Sequence, residues 1–296
     1  MSEAGFVRLT GRGVLAVGGP EAEPFLQGLL SCDVAAITPE RCGYGALLTP
    51  QGKFLFDFVI YRWADGFLLD GEGERLADLM RRLTMYRLRS KVTLEDLTEN
   101  LAVVAVLTPA LAELVGEARG ACRTIDGGLL AVDPRLRELG GRAVLPRGSL
   151  DATMAELGLA ELPYATWERR RLALGVPDGS RDMQVERAIL LEAGFEELNG
   201  VSFTKGCFVG QELTARTKHR ALIRKRLMPV ELDGPPVAPG TPITLGGKDA
   251  GEMRSSDGPK GLALLRLESV AAASDGSALM AGETAVRPRR PDWAHF

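Results

Sequence analysis

The chain has 296 residues, 45% of them apolar and 25% charged, with a net charge of −3. This is the composition of an ordinary globular protein, long enough to bury a large core and to form two domains. It carries no global basic surplus pointing to nucleic acid or an anionic membrane, and no apolar run of membrane-spanning length. Neither is expected as a direct partner.

In chain order, residues 9–17 alternate weakly and predict a strand, and residues 24–30 have helical character. Residues 44–49 and 54–61 predict two strands joined by Pro50-Gln51-Gly52-Lys53, a turn by composition. Leu76, Leu79, Met80 and Leu83 recur at helical spacing within residues 74–87. Strands are expected at 91–94 and 103–107, and helices at 110–118 and 165–174, the last carrying Trp167 and Arg169-Arg170-Arg171. After Arg226 the composition shifts: Pro229, Pro235, Pro236, Pro239 and Pro242 fall close together, followed by short apolar runs at 241–245 and 261–267. That pattern predicts an α+β body over 1–226 and a small all-β module over 227–296.

Cys32, Cys42, Cys122 and Cys207 are scattered, with no C-x-x-C pair and only two histidines in the chain. A closed zinc site, a self-contained four-cysteine cluster and a disulfide scaffold are therefore not expected, and no metal ligands are assigned. The first residues show neither an apolar leader nor an Arg-rich one, and a reducing cytoplasm is the expected location.

Two carboxylates interrupt apolar patterns. In the strand 54–61, Asp57 shares a face with Leu55, Val59 and Tyr61. If buried, it needs a partner or a ligand; on an edge strand it would sit in water. Glu192 ends the apolar run Ile189-Leu190-Leu191, just before Ala193-Gly194. It is either a surface or capping residue or a ligand contact.

The densest chemistry lies in Lys205-Gly206-Cys207-Phe208-Val209-Gly210-Gln211-Glu212. A nearby ammonium and a helix beginning at Gln211 would both favour the reactive thiolate. A tight turn around a structural cysteine is the alternative. A basic run follows, Arg216, Lys218, Arg220, Arg224, Lys225 and Arg226, with His219 among them. It forms a solvated face or an anion site.

This octapeptide resembles the signature K-G-C-[FY]-x-G-Q-E of the YgfZ family of folate-binding proteins, which includes a mitochondrial iron–sulfur assembly branch. Arg216 falls where that family has its following arginine, and Phe208 stands where Tyr is usual. Tyr86-Arg87-Leu88-Arg89-Ser90-Lys91-Val92 and Gly261-Leu262-Ala263-Leu264-Leu265-Arg266 extend the likeness. The stretches around Asp57 and Glu192 resemble folate-contacting segments of the related aminomethyltransferases, the glycine-cleavage T-proteins. The resemblance implies an α+β, aminomethyltransferase-like folate-binding body around a central channel, with a small C-terminal β-barrel. It implies tetrahydrofolate or a folate derivative as cofactor, and iron–sulfur assembly proteins and [4Fe–4S] client enzymes as partners. Any effect on tRNA modification would be indirect. Cys207 would be the reactive or cluster-contacting thiol, with Lys205 tuning it or holding an anion. Asp57 and Glu192 would hold the pterin, Gln51 and Gln211 would add polar contacts, and Arg216 would meet the glutamate tail. The rival is a folate-dependent aminomethyltransferase or demethylase.

Overall fold

The computed structural model describes residues 4–219, 223–273 and 278–295. Arg220 of the basic run lies outside the described residues, as do the first three residues of the chain start and the terminal Phe296. The chain forms two compact units: Met1–Leu48, Phe56–Thr166 and Leu198–Val209 in one, and Thr49–Leu55, Trp167–Glu197 and Gly210–Phe296 in the other.

The first unit contains strands β1 (Gly5–Arg8) and β2 (Arg12–Gly18), helix α1 (Ala22–Leu29), strand β3 (Gly43–Leu48), all but the first two residues of β4 (Phe54–Trp63), and β5 (Gly66–Glu72). Helix α2 (Leu76–Arg87), β6 (Thr93–Asp96), β7 (Leu101–Leu107) and the short α3 (Leu111–Leu114) follow. Strands β8 (Cys122–Ile125), β9 (Gly128–Val132) and β10 (Gly141–Pro146), then α4 (Leu150–Glu156), complete it. Two five-stranded sheets result, ordered β3-β4-β5-β2-β6 and β1-β7-β10-β9-β8. The strand expected over 9–17 begins only at Arg12, because the Arg12 N–H closes a turn onto the Leu9 carbonyl at 2.9 Å. The preceding β1 belongs to the other sheet, paired with β7. The helix expected over 110–118 is cut to one turn, and Gly116, at φ +123, takes the chain out of the helical region.

β4 runs between β3 and β5, and its residues from Phe54 to Tyr61 are all buried. The edge-strand alternative for Asp57 is thereby excluded. Asp70 on β5 is fully buried and takes Arg12 Nε at 2.8 Å on one oxygen and Arg142 on the other. Burial alone would raise its carboxyl pKa, but the two guanidinium groups hold it below the ordinary value. Arg142 lies on β10, so this buried charge cluster joins the two sheets.

The second unit holds α5 (Tyr164–Leu174), α6 (Gly179–Asp182), a 3₁₀ turn at Leu190–Ala193, and α7 (Gln211–His219). Strands β11 (Lys225–Asp233), β12 (Pro242–Leu245), β13 (Lys248–Asp257) and β14 (Lys260–Arg266) follow, then α8 (Leu267–Ala273), β15 (Leu279–Ala281) and β16 (Thr284–Pro288). The six strands close into a barrel in the order β11-β14-β13-β12-β15-β16. Closure removes the exposed edges that a small open sheet would present. Met228, Val230, Ile243, Met253, Leu265 and Val286 belong to its buried core. Of the arginine cluster on α5, Arg171 is a core ion, bound through two nitrogens to Glu168 and at 2.7 Å to Asp182. Asp182 also accepts from Ser255 on β13, which fastens α5 and α6 to the barrel. The C-terminal tail is tied down as well: the Trp293 indole N–H donates to the Leu174 carbonyl at 2.6 Å.

Candidate functional site

Cys207 is the one exposed cysteine of the four; Cys32, Cys42 and Cys122 are buried. It sits on a loop clamped on both sides. Before it, the Lys205 ammonium donates to the carbonyls of Leu30 and Cys32, at 2.6 Å each, and lies 5.4 Å from the Phe208 ring centroid. After it, the Val209 N–H donates to the Gly28 carbonyl at 3.2 Å. These carbonyls lie at or just beyond the end of α1, where helix carbonyls lack intrahelical partners and attract a cation. Gly206, at φ +99, lets the loop reverse between the clamps. Burial pulls the Lys205 pKa down, opposed by the Cys32 and Asp33 side chains. Lys205 thus anchors the loop backbone, a role its spacing from Cys207 does not reveal.

The buried thiols differ sharply in character. Burial pushes Cys32 and Cys122 up to about 12, and Cys42 well above its ordinary value. Thiols held protonated in this way are poor nucleophiles.

Asp57, 3% exposed, accepts a hydrogen bond from the Tyr44 hydroxyl at 2.8 Å. The Tyr44 ring lies 5.5 Å from the Arg135 guanidinium, which is itself bound to Asp133 by two hydrogen bonds of 3.0 and 2.7 Å. Burial and then the Asp57 charge raise the Tyr44 pKa well above its usual value, so the phenol stays a donor. Burial works against the Arg135 charge, but Asp133 more than offsets it. Tyr44, Asp133 and Arg135 escape a reading of local pattern. Pairing β3 with β4 brings Tyr44 to Asp57, and the Asp133-Pro134-Arg135 turn supplies the ion pair.

In the second unit, Glu192 lines a cavity of about 440 Å³. The 3₁₀ turn presents it: Leu190, Leu191 and Ala193 are buried around it, and Gly194 takes the left-handed conformation that ends the turn. Burial raises the Glu192 pKa, opposed by Lys225, Lys53 and Arg226. Lys53, Arg187 and Lys225 line the same cavity. Of these cations only Lys225 belongs to the basic run expected from sequence.

Asp57, Gln51, Gln211 and Arg216 are not among the residues that line this cavity. Gln51 and Gln211 lie in segments that touch: a Cβ on Gly52 would come within 2.9 Å of the Gly210 carbonyl, at the start of α7. Arg216 pairs with Glu212 one helical turn away, on an exposed face. Lys218 pairs with Glu196, 22 residues earlier and outside the helix.

Residues 2–122 match the family described as the GCVT N-terminal domain, and residues 224–296 match that of the CAF17 C-terminal beta-barrel domain. The chain is 38% identical to the mitochondrial iron–sulfur cluster assembly factor IBA57 of Homo sapiens, over 97% of this chain and 84% of that protein. The chain belongs to the IBA57 family. The Mus musculus relative is 36% identical over the same shares, and the Neurospora crassa homologue 33% identical over 81% of this chain and 56% of its own. A crystal structure of the glycine cleavage system aminomethyltransferase T from Bartonella henselae has the same fold. It aligns at a TM-score of 0.76 and 16% identity, over 96% of this chain and 85% of that one. The expected fold, an aminomethyltransferase-like body with a closed C-terminal barrel, is the one observed. The expected cytoplasmic location is corrected: these family members are mitochondrial proteins by name, and they point to the mitochondrion. Residue patterns at a chain start did not carry that information.

Proposed function

We propose that the chain is an accessory factor in the assembly or repair of iron–sulfur clusters, chiefly [4Fe–4S] clusters of client enzymes, and that it binds tetrahydrofolate or a related reduced folate, as its YgfZ-like motif implies. The observation that carries this reading is the placement of Cys207, exposed between two backbone clamps while the other three thiols are buried. The names of the family members support the same role. A lone exposed thiol can meet a cluster but cannot enclose one, so the cluster is cargo whose other ligands come from an assembly partner, a client or a small thiol.

The residues around Glu192 fit a folate. Its carboxylate can accept two parallel N–H bonds from a pterin edge. Lys225 and Lys53 offset the Glu192 charge and favour its ionised, accepting form, and Arg187 adds a further cation to the cavity. Asp57, steadied by Tyr44, is the other carboxylate that the resemblance assigns to a pterin, with Gln51 and Gln211 as weaker polar contacts and Arg216 for the glutamate tail. Bound folate would supply a carrier of one-carbon units or of reducing equivalents. Cys207 contacts the cluster or its carrier, and Lys205 serves it by fixing the loop. Residues 1–226 form the folate-binding body in this reading, and 227–296 the barrel.

The test is complementation of a strain lacking the protein, read as the activity and iron content of a [4Fe–4S] enzyme, with calorimetry of tetrahydrofolate binding beside it. Cys207→Ala should fail to restore the client while remaining folded and binding folate. Full restoration would make this cysteine structural and overturn the proposal. The rival reading as a folate-dependent aminomethyltransferase or demethylase has the fold alone in its favour, and it requires one-carbon transfer that survives Cys207→Ala.

A further inference from the structure

Among the described residues, four large hydrophobic side chains are exposed, and three fall together: Met85 at 59%, Tyr86 at 36% and Leu88 at 87%, the fourth being Tyr164. They stand at the end of α2, whose regular apolar stripe, Leu76, Leu79 and Leu83, is buried. The backbone there is unusual. The Ser90 N–H donates to the Arg87 carbonyl at 2.8 Å, closing a four-residue turn with Leu88 at φ 47, ψ −108. Those angles match the first central position of a type II′ turn, which glycine fills without penalty and a β-carbon does not. Leu88 therefore bears backbone strain and gains almost no burial in exchange. Strain held without local benefit points to a use outside the chain.

The surrounding charge is one-sided. From Leu79 to Thr93 the sequence holds Arg81, Arg82, Arg87, Arg89 and Lys91 and no acid, in a chain whose total is −3. Of the neighbouring acids, Asp78 pairs with Arg81 and Arg82, and Glu21 accepts from the Lys91 backbone N–H at 3.0 Å.

We propose that this turn docks a second protein through an acidic amphipathic helix of that partner, whose apolar face packs on Leu88 and whose carboxylates meet the arginines beside it. A protruding apolar side chain with arginines beside it has the make-up of an interface anchor and its rim. A membrane is the poorer fit, because a surface-seeking helix lays a long apolar face on lipid, and the long face of α2 is turned inward. A second copy of this chain would bring like charges together at a symmetric contact.

The test uses the full chain and a labelled acidic amphipathic peptide, with Leu and Phe at helical spacing and Glu between them, followed by fluorescence anisotropy. Saturable binding that weakens with added salt and drops at least tenfold in Leu88→Ser and in Arg89→Glu is expected. Leu88→Gly keeps the turn and removes the strain, so it should raise Tm while weakening binding by a similar factor. A purely structural turn residue would not move those two readouts in opposite directions. Absence of peptide binding, or equal affinity in Leu88→Ser, overturns the proposal. So does binding to phosphatidylcholine–phosphatidylglycerol vesicles in place of the peptide, which assigns the surface to lipid. Self-association in sedimentation that Leu88→Ser abolishes would assign it to a second copy and also overturns it.

Discussion

Replacing Glu192 by Gln separates two effects that the cavity sets against each other. The side chain is held by a short 3₁₀ turn whose neighbours Leu190, Leu191 and Ala193 are buried, so an isosteric amide keeps the shape and removes the charge. Loss of a charge-assisted hydrogen bond costs about 1.5–3 kcal/mol. At about 1.4 kcal/mol per factor of ten, tetrahydrofolate affinity should fall roughly 10- to 150-fold at pH 7. The pH dependence follows from the raised pKa of the carboxyl, whose first cause is burial. Binding needs the ionised form, so wild-type affinity should decline as pH falls through that raised value, starting above the ordinary Glu pKa of about 4.3. The amide variant should show no such decline. Stability of the unliganded protein runs the other way. A carboxyl with a folded pKa above its unfolded one contributes stability at low pH, and this is lost as pH rises through the folded value. Glu192→Gln should therefore melt slightly higher than wild type at pH 7, and the advantage should vanish near pH 4. Calorimetric titration at pH 7 and 5, with thermal melts alongside, reads both arms. Unchanged folate affinity at pH 7 would refute the assignment of this carboxylate to the ligand.

Asp70→Asn leaves Arg12 and Arg142 facing a buried amide, and breaking such a cluster should cost about 3–5 kcal/mol in denaturant melts. Because the Asp70 pKa is lowered, its contribution is present above the ordinary carboxylate value of about 3.9 and lost as pH falls below it, so the variant should flatten the acid limb of the stability curve. Gly52→Ala introduces a β-carbon at φ +69, within 2.9 Å of the Gly210 carbonyl, and should destabilise the protein by about 1–3 kcal/mol, measured by thermal melting. Alkylation at pH 8, counted by intact mass, should add one label to the native protein at Cys207 and four after unfolding.

The parts of the fold that could be read from sequence are those whose pattern is local. The strand pair around Pro50-Gln51-Gly52-Lys53 was legible because strong turn residues separate two apolar runs. The barrel announced itself by its proline and glycine content and by short apolar runs. Strands β5, β9 and β10 were not legible. The buried β5 carries Asp70 and β10 carries Arg142, charges that argue against a core strand until each is seen to answer the other across 72 residues of sequence. The candidate residues divide the same way. Asp57 and Glu192 stood out because each breaks an apolar run. Tyr44 and Arg135, and the cavity residues Lys53 and Arg187, come from separate stretches that only the fold assembles. Lys205 shows the limit most clearly. Adjacency suggested a partner for Cys207, whereas its hydrogen bonds reach carbonyls more than 170 residues back.

The contrast among the four cysteines bears on how such a protein can handle a cluster. Three thiols are kept protonated by burial and lie out of reach of oxidants and metal. Stray coordination and disulfide formation are thereby suppressed without recourse to the cellular redox state. The fourth is held outside on a loop whose position does not depend on its own side chain, because the clamps are an ammonium on two carbonyls and a backbone N–H. A thiol fixed in this way can engage a metal without the loop refolding. It can also release the metal, since a single ligand binds weakly compared with a closed set. Among the described residues no group of three or more His, Cys, Asp or Glu side chains is placed to hold a metal ion. In the proposed reading, a single thiol presented in this way would favour transfer of a cluster over its storage.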